Sequence, residues 1–415
     1  MTSATQQLPQ MHTHPPMSRP LKIWLGILGV LLLAGLVSGI LVFVNGLGMT
    51  NLTNQIPWGL WIALDLSAIS LGAGAFIMSA IVYLLNIKRF LPMARIAVLG
   101  GFLGYTSAMF ALALDIGRPE RFWHALIYWN VHSVLWEITI CVVFYFTVLA
   151  LELAPLLFES RLFRWWPAAP KVGHFIHRFT GVFAVIGLGL SLLHQSSLGA
   201  TYGIIAARPL WYNPTMPVLF ILSAAGGGLS ASLLVTLVVS KLRGTYVVKR
   251  EVLRDVAIIA GAALSFYLYL KVWNWAAQSY YSSLPARETG LSLLFQTTPY
   301  GATFWWIEVL LGAVVPIIIF FTPALRRSDW MLILASGLAI AGVVMLRWNT
   351  TISGLVVPID WSPGTAYLFP RLSYTPNLIE LGAFFGIIAY ALLGLTLGVY
   401  FLPIYPTEEE LEAHH

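Results

Sequence analysis

Apolar residues run through the chain in ten long blocks, at about 21–46, 58–86, 93–114, 133–155, 178–200, 215–240, 255–280, 303–323, 330–350 and 376–403. A helix needs about 20 predominantly apolar residues to cross a bilayer, because at about 1.5 Å per residue that length matches the hydrocarbon thickness. All ten blocks meet the requirement, and in lipid only helices and closed barrels satisfy their own backbone hydrogen bonds. The pattern therefore predicts an all-α polytopic membrane protein with ten transmembrane helices. The seventh block is interrupted by Lys271, which is expected to snorkel or to pair. Residues 1–20 and 404–415 are polar tails on a membrane domain of 21–403, and the first tail is too polar and too proline-rich for a signal peptide.

The basic residues orient these spans. With the N-terminus in the cytoplasm, 16 Lys and Arg fall on the cytoplasmic side, while Arg118, Arg121, Arg208, Arg287, Arg347 and Arg371 fall on the other. Lysine and arginine are retained on the cytoplasmic side during insertion, so the bias predicts both termini inside and an opposite face that is periplasmic. A multi-pass protein of the bacterial inner membrane is the expected setting. Two long outer connections, about 281–302 and 351–375, are rich in Gly, Pro and aromatics and are expected to cover the bundle or to dock an outer partner.

Composition narrows the function classes. With 58% hydrophobic and 10% charged residues, no soluble domain arrangement fits, and the net charge of +6 reflects topology rather than nucleic-acid binding. The single cysteine, Cys141, excludes an internal disulfide, a thiolate iron–sulfur cluster and a structural zinc site. The glycine-rich stretches "GLGLSLL" and "AGGGLSA" have no strand context for a dinucleotide site and predict close helix packing.

Ionisable groups in hydrocarbon cost at least about 2.5 kcal/mol on the most lenient scale, so each needs a reason. Counted from the outer ends of their spans, Asp65, Glu137, His194, Glu308, Arg347 and Glu380 lie at comparable depth, with Arg347 read as closing span nine and with Glu308 and Glu380 near the surface. The connection between spans three and four adds Asp115, Arg118, Glu120, Arg121, His124, Asn130 and His132, with Asp115 expected to neutralise Arg118 or Arg121. Trp58, Trp123, Tyr128, Trp129 and Trp136 supply flat walls. A half-buried polar pocket walled by aromatics suits a planar amphipathic molecule entering from lipid, and a quinone has that character. Its reduction takes two electrons and two protons, for which His194, Glu137 and Asp65 are the candidate catalytic exchangers. Asp115, Arg118, Trp58, Trp136 and Gln195 are candidate binding or supporting residues, with Gln195 and Ser196 expected beside His194. A packing role competes for each of these residues individually.

A proton route from the cytoplasm would begin at Glu152, 15 residues below Glu137 and so about 22 Å away. Thr139, Tyr145, Ser67, Ser70 and Ser79 are candidates to bridge that gap. Haem between His132 and His194 is a weaker reading, because only His194 lies well inside a span. The competing class is an ion-coupled secondary transporter, which is expected to carry charges at the midplane in both halves.

The segments "IPWGLWIALDL" (56–66), "ALDIGRPERFW" (113–123), "NVHSVLWE" (130–137), "LALELAP" (149–155), "LLHQSSLG" (192–199) and "FWWIEVLLG" (304–312) resemble the NrfD/PsrC family of quinone-interacting membrane subunits, in particular its ten-span branch with HybB and QrcD. The resemblance covers about 20–405. It implies two four-helix bundles, at about 58–200 and 215–350, with spans one and ten peripheral. It also implies a subunit without haem, metal or flavin that reduces menaquinone or ubiquinone. Electrons would come from a periplasmic iron–sulfur subunit and a further redox subunit such as a multihaem cytochrome, a hydrogenase or a molybdopterin enzyme. On that likeness the quinone lies in the first bundle, while Glu308 and Arg347 are the candidates in the second.

Overall fold

The computed structural model describes residues 17–160, 163, 165–208, 210–281, 300–356 and 372–405. Ten helices in it are long and apolar enough to cross a membrane: Arg19–Asn45, Leu60–Leu84, Lys88–Asp115, Val134–Phe158, Thr180–Gly203, Met216–Arg243, Arg250–Ala277, Tyr300–Phe321, Asp329–Val356 and Leu378–Phe401. They are numbered as spans one to ten. Described residues contain no strand, and the expected all-α polytopic class is the one observed. The face carrying Arg19 and Phe401 is called terminal, and the opposite face distal. Most of both long connections anticipated at the distal face, 282–299 and 357–371, lies outside the described residues.

Spans two, three and six are the most enclosed, with 72%, 61% and 61% of their apolar windows buried, against 17% for span one. Span two packs on spans three, six and nine; span five packs on spans four and six; spans seven and nine pack on span six, and span eight packs on spans seven and nine. Spans one and ten lie against each other, with span ten also touching span three. The remaining apolar side chains of span one, such as Ile23, Val30, Leu33 and Val44, are exposed, as lipid-facing residues are.

Close approach of spans two and six depends on two glycines. A Cβ at Gly74 would lie 2.5 Å from the carbonyl oxygen of Gly228, so any side chain at either position would separate the helices. Without a hydrophobic force between helices in lipid, such backbone contact is what van der Waals association requires. The "AGGGLSA" stretch thus packs as its composition predicts. The "GLGLSLL" stretch does so only in part: Gly187 faces Val148 and Tyr145, whereas nothing lies within 4 Å of a Cβ at Gly189.

Span ten starts with a capping box. Asn377 Oδ1 accepts from the backbone N–H groups of Ile379 and Glu380, and Glu380 in turn accepts from Asn377 N at 2.9 Å. Glu380 also accepts from Asn51 N at 3.0 Å and from the Tyr374 hydroxyl. Burial and this bond push the Tyr374 hydroxyl pKa up. Glu380, which its depth puts near the surface, is only 1% exposed, because it satisfies the start of a helix and ties it to the connection before span two.

Candidate functional site

In a span, a tyrosine hydroxyl or an imidazole needs a partner, and spans three and five supply one to each other. Tyr105 OH and His194 Nδ1 are 2.8 Å apart, and both residues are fully buried. Their rings are 5.4 Å apart, and Tyr145 of span four packs edge-on to Tyr105 at 4.6 Å. His194 Nε2, Tyr145 OH and Ser191 Oγ are buried without a hydrogen-bond partner, although Ser191 lies within interaction range of both tyrosines. The result is a row of polar atoms from three helices: Tyr145, Ser191, Tyr105 and His194.

Asp65 is nearly buried, makes no hydrogen bond or ion pair among the described residues, and lies within electrostatic reach of Asp115, Tyr105 and Tyr202. A salt bridge formed only for packing is therefore not its role. Glu137 is half-buried at the distal start of span four, where Oε1 accepts from Ser197 Oγ at 2.8 Å. Ser197 is three residues toward the distal face from His194 on the same helix, one helical turn away. Spans two to five thus join Tyr105 to His194, set Ser197 against Glu137 one turn toward the distal face, and hold Asp65 within electrostatic reach of Tyr105, while Ser191 lies one turn toward the terminal face from His194. Sequence reasoning missed those three residues because it followed ionisable groups. The findable signal was Tyr105 in the middle of an apolar block, where a phenol must find a partner.

Aromatic residues wall the region. Trp58 stacks on Trp211 at 5.8 Å and meets Tyr202 edge-on, while the Tyr202 hydroxyl reaches Thr351 Oγ1 at 3.1 Å. Trp136 Nε1 donates to the Ala125 carbonyl at 2.8 Å and so ties the distal connection to span four. In that connection Phe122, Trp123, Ile127, Tyr128 and Trp129 are exposed.

Several sequence expectations are corrected. Asp115 does not pair with Arg118 or Arg121 among the described residues: its Oδ1 is buried without a partner, Arg118 is exposed, and Arg121 lies 3.8 Å from Glu120. Positive φ at Gly117 turns the chain immediately after span three and carries the arginines away from the carboxylate. Gln195 and Ser196 do not support His194. Gln195 Nε2 donates to the Ile69 carbonyl at 3.3 Å, and Ser196 Oγ to its own helix at Leu193. Tyr105 holds His194 instead, because it faces the ring from the neighbouring helix.

Arg347 does not close span nine. The helix continues to Val356, which leaves the guanidinium nine residues inside it, fully buried. Its Nε donates to Ser70 Oγ of span two at 2.9 Å, and Nη2 to the Phe220 carbonyl and Ser223 Oγ of span six, both at 3.1 Å. The cation lies 3.6 Å from the Phe220 ring centroid. Glu308 is likewise 1% exposed rather than hydrated at the surface, and Lys271 pairs with it at 2.5 Å, as the interruption of span seven predicts.

The hydroxyls anticipated between Glu152 and Glu137 are differently disposed. Ser67, Ser70 and Thr139 donate to carbonyls of their own helices, at Ala63, Leu66 and Leu135, while Ser79 Oγ is buried without a partner. Glu152 is half-buried, lies two turns below Tyr145 on one face of span four, and makes no ion pair among the described residues.

The profile of the family described as polysulphide reductase, NrfD, matches residues 48–359. A menaquinone reductase integral membrane subunit of Nitratidesulfovibrio vulgaris is 36% identical over 403 residues, covering 94% of this chain and 93% of its own. A probable Ni/Fe-hydrogenase 2 b-type cytochrome subunit of Escherichia coli K12 is 30% identical over 375 residues, covering 88% and 87%. An Hdr-like menaquinol oxidoreductase integral membrane subunit of Archaeoglobus fulgidus is 28% identical over 374 residues, covering 87% and 88%. The b-type cytochrome in one of these names raises haem, which needs two histidines facing each other inside a bundle. His194 is the one histidine within the ten spans, so the residues present do not fit a bis-histidine haem on this chain.

Proposed function

The chain belongs to the polysulphide reductase NrfD family, and on that premise we propose that it is the quinone-reactive membrane subunit of a respiratory oxidoreductase complex. In this reading the distal face is periplasmic, an iron–sulfur partner docks there, and its electrons reduce menaquinone or another quinone bound between spans two, three, four and five. The observation that carries it is the Tyr105–His194 bond, which leaves His194 Nε2 buried with no hydrogen-bond partner, with Asp65 within electrostatic reach of Tyr105.

The chemistry follows from the donor inventory. With the Tyr105 hydroxyl donating to Nδ1, neutral His194 carries its proton on Nε2 and can donate to a quinone carbonyl. As two electrons arrive, Nε2 gives up its proton to that oxygen and Nδ1 is resupplied through Tyr105. Asp65 and Glu137 are the groups at hand for the second proton. Trp58 and Trp136 bound the headgroup, while Asp115 adds negative charge near Asp65 and Arg118 lies exposed on the approach.

For proton supply from the cytoplasm the reading favours Glu152, Tyr145, Ser191, Tyr105 and His194 in that order, with water completing the gaps. Ser70 is removed from the route because it holds Arg347. The test is photolabelling of the purified complex with a reactive menaquinone analogue, followed by peptide mapping. Label on residues from spans two to five supports the reading. Label confined to spans six to nine, or displaced by no quinone, contradicts it.

A further inference from the structure

A second enclosed polar group lies between spans seven, eight and nine, away from the Tyr105–His194 bond. Its centre is Glu308, whose Oε1 receives Lys271 Nζ at 2.5 Å and the Tyr267 hydroxyl at 2.9 Å. Asn349 Nδ2 donates to Oε2 at 2.7 Å, and Asn349 Oδ1 accepts from Thr303 Oγ1 at 2.9 Å. The Glu308 side chain is wholly enclosed, whereas that of Lys271 retains 13% exposure. Span eight runs as a wide π-type turn over Thr303–Val314, a rare backbone form that concentrates at functional sites, and Glu308 lies in its middle.

Beside the pair is a cavity of about 50 Å³, lined among others by Lys271, Phe304, Glu308, Asn349, Thr350 and Ser353. That is room for the centres of a few water molecules, each of which takes two to four polar partners, and the lining supplies an ammonium, a carboxylate, an amide and hydroxyls. Ca²⁺ or Mg²⁺ would need six or more oxygen ligands, and the single carboxylate here is already bound to an ammonium. Water and protons are what the cavity can exchange.

We propose that the Lys271–Glu308 pair is a proton-binding site. The carboxylate takes one proton from a hydronium ion delivered through cavity water: an O–H bond of the hydronium breaks, one forms on Glu308, and a neutral water remains. Lys271, released from its ion pair, turns its ammonium toward the cavity on its flexible stem. Loss of the proton restores the pair. Lys271 and Tyr267 from span seven and Arg347 from span nine are the charged or titratable groups facing Glu308 among the described residues. Arg347 is a fixed cation within electrostatic reach of Glu308 and repels a proton arriving from its side. The same arginine holds Ser70, next to Ile69, whose carbonyl takes Gln195 of span five. A charge change at Glu308 therefore acts on a residue that is bonded to span two.

The site can be tested without quinone turnover. Full-length protein in lipid nanodiscs is taken through acid-to-alkaline infrared difference spectroscopy, reading the carbonyl stretch of protonated carboxyls. A band lost in Glu308→Gln supports the proposal; wild-type and Glu308→Gln spectra that match overturn it. Should Glu308→Gln fail to fold, Tyr267→Phe removes one donor from the carboxylate, and a midpoint displaced by about one pH unit, a tenfold change in proton affinity, is expected. An unchanged midpoint in Tyr267→Phe overturns the proposal. Quinone photolabelling on the same preparation is a separate readout, so failure of one reading leaves the other standing.

Discussion

Arg347 of span nine donates through Nε to Ser70 of span two at 2.9 Å, and this bond crosses from the last to the first of the central spans. Among the described residues the guanidinium has no carboxylate in bonding range; serine hydroxyls, one carbonyl and the Phe220 ring hold it. Hydrogen bonds to a charged group contribute about 1.5–3 kcal/mol each, so truncation here removes more than a surface change could. Arg347→Ala should lower the thermal midpoint of the detergent-solubilised protein by several degrees, read by reaction of a thiol dye with buried Cys141. Arg347→Lys, which keeps the charge but loses the planar fork, should fall between.

Helix contact at Gly74 and Gly228 gives a second expectation. Gly228→Leu should block assembly or leave a protein that aggregates on gel filtration, because the side chain would enter the backbone of span two. Gly189→Ala, where a Cβ meets nothing within 4 Å, should elute and melt as the wild type does. Equal behaviour of the two variants would contradict the packing described.

Glu380 looked like a candidate site by depth, yet its contacts are those of a cap. Glu380→Gln should cost about 1 kcal/mol of stability, the usual value of a helix cap, with quinone turnover per assembled complex unchanged. A selective loss of turnover at full stability would assign it to the site instead.

Much of the fold could be read from hydropathy, because in lipid the length of an apolar run and the period of its charges leave few alternatives. Span nine shows the limit. Residues 351–356 are polar and small enough to read as connection, yet Thr350 and Thr351 are buried against Trp211 and Tyr202, whose side chains meet them at 2.6 and 3.1 Å. That extension moved Arg347 inward. Within the candidate site, Asp65, Glu137 and His194 could be picked out because each is ionisable in an apolar run. Tyr105 carried a signal of its own, a phenol in an apolar block, but Ser191 and Ser197 did not, since serine and threonine in spans commonly bond their own helix, as Ser67 and Thr139 do. Which serine faces a neighbour is set by helix rotation, and hydropathy does not report it.

Proton supply through Tyr145 and Ser191 predicts a coupling defect. In proteoliposomes of the intact complex with donor added outside, Glu152→Gln should lower the charge moved per electron relative to wild type. Internal alkalinisation during quinone reduction should fall in parallel. Full coupling in Glu152→Gln would exclude this residue from the route.

The central claim is that His194 exchanges a proton with quinone while Tyr105 holds its other nitrogen, and it separates cleanly from electron delivery. In stopped-flow measurements on the assembled complex, reduction by donor of the redox centres of the proposed partner is followed first, and their reoxidation by added menaquinone analogue second. His194→Ala should leave the first phase at its wild-type rate and slow the second by roughly 10²-fold or more, the usual contribution of a general acid. Tyr105→Phe should slow the second phase less. A His194→Ala complex that assembles, fills with electrons and reoxidises at the wild-type rate would contradict the account.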